Sequence, residues 1–249
     1  MTQEIKLIAG IDDATKCPVI GSIFLVGVVA DEKTIEHWKS IGVKDSKLVA
    51  FKKREKLAKI IKKTATHFVI EQITAPMIDD QSFNLNEWEM LVLFKIVKKM
   101  QKIENIEHYI VDNWETTKKG FDRRKKSLLK YALRKKLTSK KITLNRKNIN
   151  SLNFVAEHKA DENYTIVGAA SILAKSASDA QYRKYRKIYG DFGSGNPGDP
   201  KTRLFVWNHR ENPLPIIRKS WNTYKVLSKL TSIEEDYLYS RKIKKPTEF

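Results

Sequence analysis

An apolar run that ends in two adjacent acids, IKLIAGIDD at residues 5–13, constrains the fold of this chain more than any other feature. The run predicts a buried strand, with Asp12 and Asp13 at its end. Carboxylates held against a buried strand cost free energy unless positive charge meets them. Neighbouring residues of a strand face opposite ways, so the two acids can share a site only if the chain already turns at Asp13. We therefore expect a turn at Asp13 and a source of positive charge near it.

Composition places the chain among globular proteins of a reducing compartment. Its 249 residues, 41% of them hydrophobic, can build one large domain or a domain with an extension. A single cysteine, Cys17, excludes a disulfide framework and a multi-cysteine zinc site, and the five histidines show no metal-binding spacing. No apolar stretch reaches the roughly 18 residues of a membrane span, and the N-terminus lacks a signal-peptide pattern. We expect a cytoplasmic protein without membrane contact, with a monomer as the default.

The net charge indicates a polyanionic partner. Lys and Arg number 48 against 29 acids, which gives a formal net charge of +19 and a pI near 9.8. Nucleic acid is the usual partner of so basic a protein. The alternative is a lysine-rich proteome that places Lys on every surface.

The distribution of this charge favours nucleic acid. Residues 118–147 contain fourteen Lys or Arg and a single acid. Leu128, Leu129, Ala132 and Leu133 recur among them at helical spacing, which predicts an amphipathic basic helix. One face of this helix would pack, while the other would attract phosphates in a way that weakens with salt.

Predicted strands and helices alternate along the chain. Apolar runs predict strands at 5–11, 19–30, 66–73, 108–113 and 152–158, and helical periodicity predicts helices at 52–63, 84–103 and from about 161 to 188. This order is typical of α/β proteins in which helices surround a mixed sheet. A Gly/Pro-rich stretch at 189–200 marks a boundary. We expect one domain over residues 1–190 and a C-terminal loop and helical extension over 191–249.

Four carboxylates fall at the ends of predicted strands or at the start of the element that follows. Asp12 and Asp13 end the first strand, Asp112 ends HYIVD, and Asp161 opens the long helix after AEHKAD. Strand ends gather at one edge of an α/β sheet, where four carboxylates would repel one another without cations. Oxygen ligands without His or Cys suit Mg²⁺ or Mn²⁺. Singly, Asp161 could cap a helix and Asp112 could lie in a turn. Together, in a basic protein, the acids indicate metal-assisted phosphodiester chemistry.

These motifs resemble ribonuclease HII, the type 2 ribonuclease H, in its archaeal form. GIDDATKCPVIG at 10–21 is similar to the family's GIDEAGRGPVIG, GVKDSK at 42–47 to its lysine-bearing loop, and YIVDN at 109–113 to the strand with its third acid. The resemblance continues through HKADENYTIVGAASILAKSASD at 158–179, YGDFGSGNPGDPKT at 189–202 and LPIIRKSW at 214–221. The matches span about residues 5–223.

The resemblance implies both a fold and a reaction. The fold is a ribonuclease H-like mixed sheet of five strands flanked by helices, with a small C-terminal helical extension. The implied reaction is hydrolysis of the RNA strand of RNA–DNA hybrids, including at a single ribonucleotide in duplex DNA, with 5′-phosphate products. Two divalent cations, Mg²⁺ or Mn²⁺, would act in it. Their implied ligands and the catalytic residues are Asp12, Asp13, Asp112 and Asp161.

Two lysines of GVKDSK, Lys44 and Lys47, are implied to hold substrate phosphates. Lysine is a flexible point charge suited to that role. In a chain this rich in lysine, two solvated loop residues are the alternative.

The chain departs from the family where the substrate ribose is read. Thr15, Lys16 and Cys17 replace the family's glycine–arginine–glycine, whose backbone approaches the ribose 2′-hydroxyl. Glycine permits close approach and positive φ, which a β-branched Thr tolerates poorly. Asn196 replaces a tyrosine at the junction between ribonucleotide and DNA, which removes a stacking surface. The resemblance implies that these four residues contact the substrate with altered recognition.

Two further departures leave two hypotheses open. Asp13 replaces the family's glutamate, and its side chain is one methylene shorter. Ser178 replaces an arginine of the family. The first hypothesis is a divalent-metal-dependent endonuclease with altered junction recognition, which retention of all four acids favours. The second is a catalytically weak homologue that binds hybrid or duplex nucleic acid as a module. Tyr237 and Tyr239 lack the glutamine and aliphatic spacing of a clamp-binding peptide, so the sequence offers no clear protein-partner motif.

Overall fold

The structure, a computed structural model, describes residues 5–44, 49–80, 82–103, 105–134 and 154–233. Its strands are β1 (Leu7–Ala14), β2 (Ile23–Asp31), β3 (His67–Ile73), β4 (Ile106–Asp112) and β5 (Phe154–Glu157). They form a five-stranded sheet in the order β3-β2-β1-β4-β5. The predicted five-stranded sheet is confirmed.

β1 lies at the centre of this sheet, and the sheet is mixed. β1 pairs antiparallel with β2, with Asp12 opposite Val26, and parallel with β4, with Ile11 beside Val111. β4 in turn pairs parallel with β5. The apolar β1 and the Val-rich β2 are buried along most of their length, as expected of strands covered on both faces. The carboxyl ends of β1, β4 and β5 therefore meet at one edge of the sheet, which we call the carboxyl edge.

β1 continues further than the sequence indicates. The expected turn at Asp13 is wrong, because β1 runs to Ala14 and Asp13 pairs with Leu25 of β2. Pairing with β2 keeps the backbone extended at Asp13. The negative charge of Asp13 nevertheless acts on Asp12, so the two acids interact without a turn between them. The turn comes at Thr15, which has a φ of 67°.

Helices make up much of the remaining described chain. They are α1 (Glu32–Ser40), α2 (Phe51–Thr64), α3 (Ala75–Asp79), α4 (Leu85–Met100), α5 (Lys118–Arg134), α6 (Ala160–Asn163), α7 (Thr165–Tyr189), α8 (Pro200–Asn208) and α9 (Asn222–Leu227). α2 and α4 confirm the helices predicted at 52–63 and 84–103. α4 starts where it does because Asn84 and Glu87 form a capping box.

Several helical regions differ from the sequence prediction or are only partly covered by the described residues. α1 and α3 were not predicted, although Asp31 accepts a hydrogen bond from the Thr34 N–H and is a recognisable cap of α1. The helix predicted from about 161 to 188 is confirmed from Thr165 onward as α7. Its start is wrong, because Tyr164 is extended, with φ −121° and ψ 114°, and separates α6 from α7. The basic helix is confirmed as α5, and residues 135–147 of that prediction lie outside the described residues.

The chain forms two compact units, each with its own hydrophobic core. The first unit comprises Met1–Ala14, Phe24–Gln72 and Asn84–Ala177 and contains the sheet. Its core packs side chains of β2, α1, α2 and α7, with Val26, Trp38, Ile61 and Leu173 fully buried.

The second unit comprises Thr15–Ile23, Ile73–Phe83 and Ser178–Phe249. Its core includes Val19, Phe192, Val206 and Ile217. The predicted division into residues 1–190 and 191–249 stays a prediction.

Gly10 sets how closely α7 approaches β1. A Cβ at position 10 would lie 2.4 Å from the Ile166 carbonyl oxygen and 2.7 Å from the Val167 nitrogen. Both atoms belong to the backbone of the first turn of α7, so no side chain can move aside to make room. Gly10 therefore allows α7 to start directly against β1, two residues before Asp12.

We expect Gly10→Ala to destabilise the protein by about 1–3 kcal/mol, the usual cost of overpacking a close contact. The cause is the backbone collision with α7. Chemical denaturation followed by circular dichroism measures the change. Gly198→Ala is the control, since no atom lies within 4 Å of its added Cβ and its effect should stay within about 0.5 kcal/mol. Equal effects of the two substitutions would refute this account of the contact.

Candidate active site

The strand register brings Asp12 and Asp112 together at the carboxyl edge. Ile11 and Val111 are partners in the parallel pair of β1 and β4, so the residues that follow them lie side by side. The Ala160 N–H donates a hydrogen bond to Oδ1 of Asp112 at 2.9 Å. This bond ties the start of α6, which carries Asp161, to the end of β4.

Burial and mutual repulsion define the electrostatics of this edge. Asp12 is 4% exposed and Asp161 is 3% exposed, while Asp13 and Asp112 are half-buried. Burial, and then the negative charges of Asp13, Asp112 and Asp161, raise the pKa of Asp12 well above its ordinary value of 3.8. A hydrogen bond from the Ser171 side chain acts in the opposite direction. The other three predicted acids thus all act electrostatically on the buried Asp12 carboxylate.

The chemistry of this donor set fits a hard divalent cation. Carboxylate oxygens are the ligands that Mg²⁺ and Mn²⁺ prefer, and the four predicted acids supply them close enough together for three of them to act on Asp12. Within the described parts of the chain, no three Asp, Glu, His or Cys side chains are clustered tightly enough to hold a metal ion. The acids therefore share one edge of the sheet without forming a closed ligand cage, as like charges that repel one another do.

Lys44 lies beside the acids, whereas Lys47 lies outside the described residues. A Cβ added to Gly168 in α7 would be 3.1 Å from the Lys44 Cα and 3.2 Å from the Asp161 carbonyl oxygen. Gly168 therefore lets the backbone of the Lys44 loop pack against α7 next to Asp161. The Lys44 residue is exposed, so its side chain is accessible to solvent.

The second unit contains the turn of Thr15, Lys16 and Cys17, which we call the recognition turn. The φ of 67° at Thr15 lies in the left-handed region, which is strained for a β-branched residue. The Thr15 hydroxyl donates to the Ser22 carbonyl oxygen at 2.9 Å. The turn thus has a backbone conformation that suits glycine, and Thr15 is strained in adopting it.

Arg218 fixes the carbonyl side of the recognition turn. Its fully buried guanidinium group donates hydrogen bonds to the carbonyl oxygens of Thr15, Lys16 and Gly21, each at 2.8 Å. Burial lowers the pKa of Arg218 to about 10, so the group remains charged at neutral pH. The sequence prediction did not assign this role to Arg218. Arg218 belongs to the LPIIRKSW motif, which is recognisable in the sequence. A single sequence does not reveal, however, that Arg218 contacts a turn some 200 positions away.

Asn196 lies in the second unit, in the loop between α7 and α8. It is exposed, and its side-chain amide donates a hydrogen bond to Oγ of Ser194 at 3.3 Å. Gly195 before it has a φ of 79° and packs against the Tyr182 ring. Ser178, at the position of the family's arginine, is buried.

Comparison with known proteins decides the family. The sequence profile described as Ribonuclease HII matches residues 9–224. The chain belongs to the ribonuclease HII family. The ribonuclease HII of Methanococcus maripaludis strain C6 is 37% identical over 241 residues, which cover 94% of this chain and 91% of that protein.

Solved structures agree with this family assignment. The ribonuclease H2 of Pyrococcus horikoshii OT3 matches with a TM-score of 0.73 at 31% identity, covering 89% of this chain and 97% of that one. The ribonuclease HII of Archaeoglobus fulgidus, solved in complex with PCNA, matches with a TM-score of 0.70 at 30% identity. The match covers 90% of this chain and 97% of that one.

Membership of the ribonuclease HII family confirms several predictions. The resemblance, the fold class and the enzyme class are confirmed: the chain is a divalent-metal-dependent ribonuclease H that acts on nucleic acid. At the level of the family, its activity is endonucleolytic cleavage of the RNA strand of RNA–DNA hybrids. The roles of individual site residues stay predictions. Among the helices of the described residues, none has the length and apolar character needed to cross a membrane.

We expect Asp12→Asn to raise the melting temperature of the metal-free protein. The raised pKa of Asp12 means that its ionised form destabilises the folded state, an effect that is absent below the ordinary value of 3.8 and grows as the pH rises above it. The gain in stability should therefore be present at neutral pH and shrink as the pH falls toward 3.8. Calorimetry in EDTA should show a rise of about 2–4 °C for each kcal/mol of repulsion removed.

A control separates this effect from the mere loss of a negative charge. Asp122 on α5 forms an ion pair with Lys125 at 3.2 Å and is about half exposed. Asp122→Asn should leave the melting temperature unchanged or lower it slightly. An unchanged or lower melting temperature for Asp12→Asn in EDTA would contradict our view of the carboxyl edge.

Proposed function

We propose that this chain cleaves the RNA strand of RNA–DNA hybrids, and also DNA duplexes that carry a single ribonucleotide, with Mg²⁺ or Mn²⁺ and 5′-phosphate products. The observation that carries the proposal is the burial of Asp12 among the charges of three further carboxylates at the carboxyl edge. Such an arrangement destabilises the fold, so stability does not explain it. Strongly perturbed carboxylates grouped in this way are typical of functional sites.

The acids would divide the binding of the metal ions among them. Asp12 is the central ligand in this proposal, because the charges of the other three all act on it. Asp13, Asp112 and Asp161 would complete the coordination. When bound, two divalent ions would lower the pKa of an attacking water and stabilise the departing 3′ oxygen. The hydrogen bond from the Ala160 N–H would hold the Asp112 carboxylate in place for this role.

Basic and backbone groups would position the nucleic acid. Lys44, next to Asp161 at the carboxyl edge, and Lys47 in the same loop would hold substrate phosphates. Thr15, Lys16, Cys17 and Asn196 would contact the strand near the ribonucleotide. Arg218 would support them indirectly, since it binds the carbonyl oxygens of the recognition turn.

Cleavage assays with a matched pair of variants test the metal-binding role of Asp161. Asp161→Asn should lower kcat on a long RNA–DNA hybrid by at least about 100-fold, because a ligand carboxylate is lost. Glu162→Gln is the control, since Glu162 follows in the same short helix but is exposed and pairs with Lys159. It should stay within about two-fold of the unsubstituted enzyme. Equal rates for both variants would remove Asp161 from the site.

The recognition turn generates a second prediction on substrate choice. The triple variant Thr15→Gly, Cys17→Gly, Asn196→Tyr should raise kcat/KM on a duplex with one ribonucleotide relative to a long hybrid. Glycine relieves the strain at φ 67°, and tyrosine restores a stacking surface worth about 1–3 kcal/mol per base, or roughly 5- to 150-fold. The ratio of the two kcat/KM values is the measurement. An unchanged ratio would contradict the proposed role of these positions.

A binding module with little catalysis is the second candidate function. The strained φ of Thr15 favours it, since close approach of the turn to a ribose is hindered by a β-branched side chain. It predicts salt-sensitive binding of both substrates and cleavage of neither, with Mg²⁺ or Mn²⁺ present. Cleavage of the hybrid alone would exclude this candidate and indicate altered junction recognition.

A further inference from the structure

α5 presents three exposed cations on one face. Lys119, Arg123 and Lys126 stand at positions i, i+4 and i+7, which lie above one another on a helix. All three are exposed, and none forms an ion pair with another described residue. We call this set the outer face of α5.

The remaining described cations of the central part of α5 have different surroundings. Arg124 forms ion pairs with Glu115 and Glu87, and Lys125 pairs with Asp122 at 3.2 Å. Phe121 and Leu128 are buried on the packed side of the helix. The helix thus separates cations that hold it in place from cations that face solvent. Only the second kind is free to serve a partner.

α5 starts near the carboxyl edge and runs back along β5, so its first residues lie closest to that edge. After Asp112, the Asn113 N–H bonds to the Glu157 carbonyl oxygen at 2.9 Å, and α5 starts at Lys118. Further along the helix, Lys125 lies 5.1 Å from the ring centre of Phe154, the first residue of β5. Because Glu157 ends β5 at the carboxyl edge, α5 begins near that edge and runs back along the strands.

We propose that the outer face of α5 binds the phosphate backbone of the nucleic-acid substrate beside the carboxyl edge. This inference rests on the proposed function, because it concerns the same substrate. From Lys119 to Lys126 the helix rises about 10 Å, which corresponds to about three nucleotides of one strand. Unpaired Lys and Arg side chains along that length match successive phosphates in charge and spacing. The face contributes affinity without reading sequence.

α2 provides a matched control within the same unit. Its exposed Lys52, Lys56 and Lys59 repeat the spacing i, i+4 and i+7. α2 leads into β3, however, and β3 is separated from β4 by β2 and β1. If net charge alone governed binding, the three lysines of α2 and the outer face of α5 would contribute equally to the affinity for nucleic acid. If position governs it, only the outer face of α5 would contribute.

Two triple variants of the full chain test the proposal: Lys119→Gln, Arg123→Gln, Lys126→Gln on α5, and Lys52→Gln, Lys56→Gln, Lys59→Gln on α2. Both are made in the Asp161→Asn background, so that a labelled RNA–DNA hybrid is not cleaved. Fluorescence anisotropy gives Kd at several KCl concentrations, and thus the slope of log Kd against log salt. Each lost phosphate contact should lower the magnitude of that slope by about 0.9.

We expect the slope to fall by about 1–3 for the α5 variant and to stay unchanged within about 0.5 for the α2 variant. Equal losses in both variants would overturn the proposal, since they would reflect net charge alone. An unchanged slope for the α5 variant, with intact hybrid binding and cleavage by the unsubstituted enzyme, would overturn the proposal and leave the proposed function standing. Failure of the unsubstituted enzyme to bind the hybrid would refute the proposed function itself.

Discussion

Repulsion among the carboxylates at the carboxyl edge is the constraint on which the rest of this structure depends. The fold has to hold Asp12 in a buried position although three negative charges act on it. Three features oppose the repulsion. β1 is hydrogen-bonded on both sides, the Asp13 N–H donates to Oδ1 of Asp12 at 2.7 Å, and Ser171 also bonds to Asp12. The absent side chain at Gly10 lets the first turn of α7 close against β1. Holding a buried carboxylate among these charges costs stability.

The two signs of charge are kept apart in the first unit. Negative charge collects at the carboxyl edge, where β1 and β4 end, while exposed cations line α5, which starts a few residues after Asp112. A polyanionic substrate could not approach the acids alone, so neighbouring cations and bound metal ions have to outweigh them. This explains why an enzyme of this family can combine a net charge of +19 with an acidic site. Lys44, whose backbone packs beside Asp161, adds a further exposed cation next to the acids.

Local patterns predicted the elements that depend on local physics. The helical periodicity of α2 and of α4 is visible in the sequence, and the structure agrees with both. The prediction of element boundaries failed where contacts with residues far away in the sequence determine the local conformation. β1 stays extended to Ala14 because β2 pairs with it, and α6 is separated from α7 at Tyr164 while its start is bonded to Asp112. Arg218 was missed for the same reason, since its hydrogen bonds join positions that only folding brings together.

The sequence by itself determined the family, the positions of the four acids along the chain and the excess of positive charge, because motifs, residue types and their order are properties of the chain alone. Tertiary structure alone decided that Asp12 and Asp161 are the buried members of the four and that Lys44 packs beside Asp161. It also decided which of the described cations of α5 form ion pairs and which do not. Burial, pKa and ion pairing depend on which groups meet in space and how much water remains between them. Those distances arise from strand register and helix packing, which no single stretch of sequence contains.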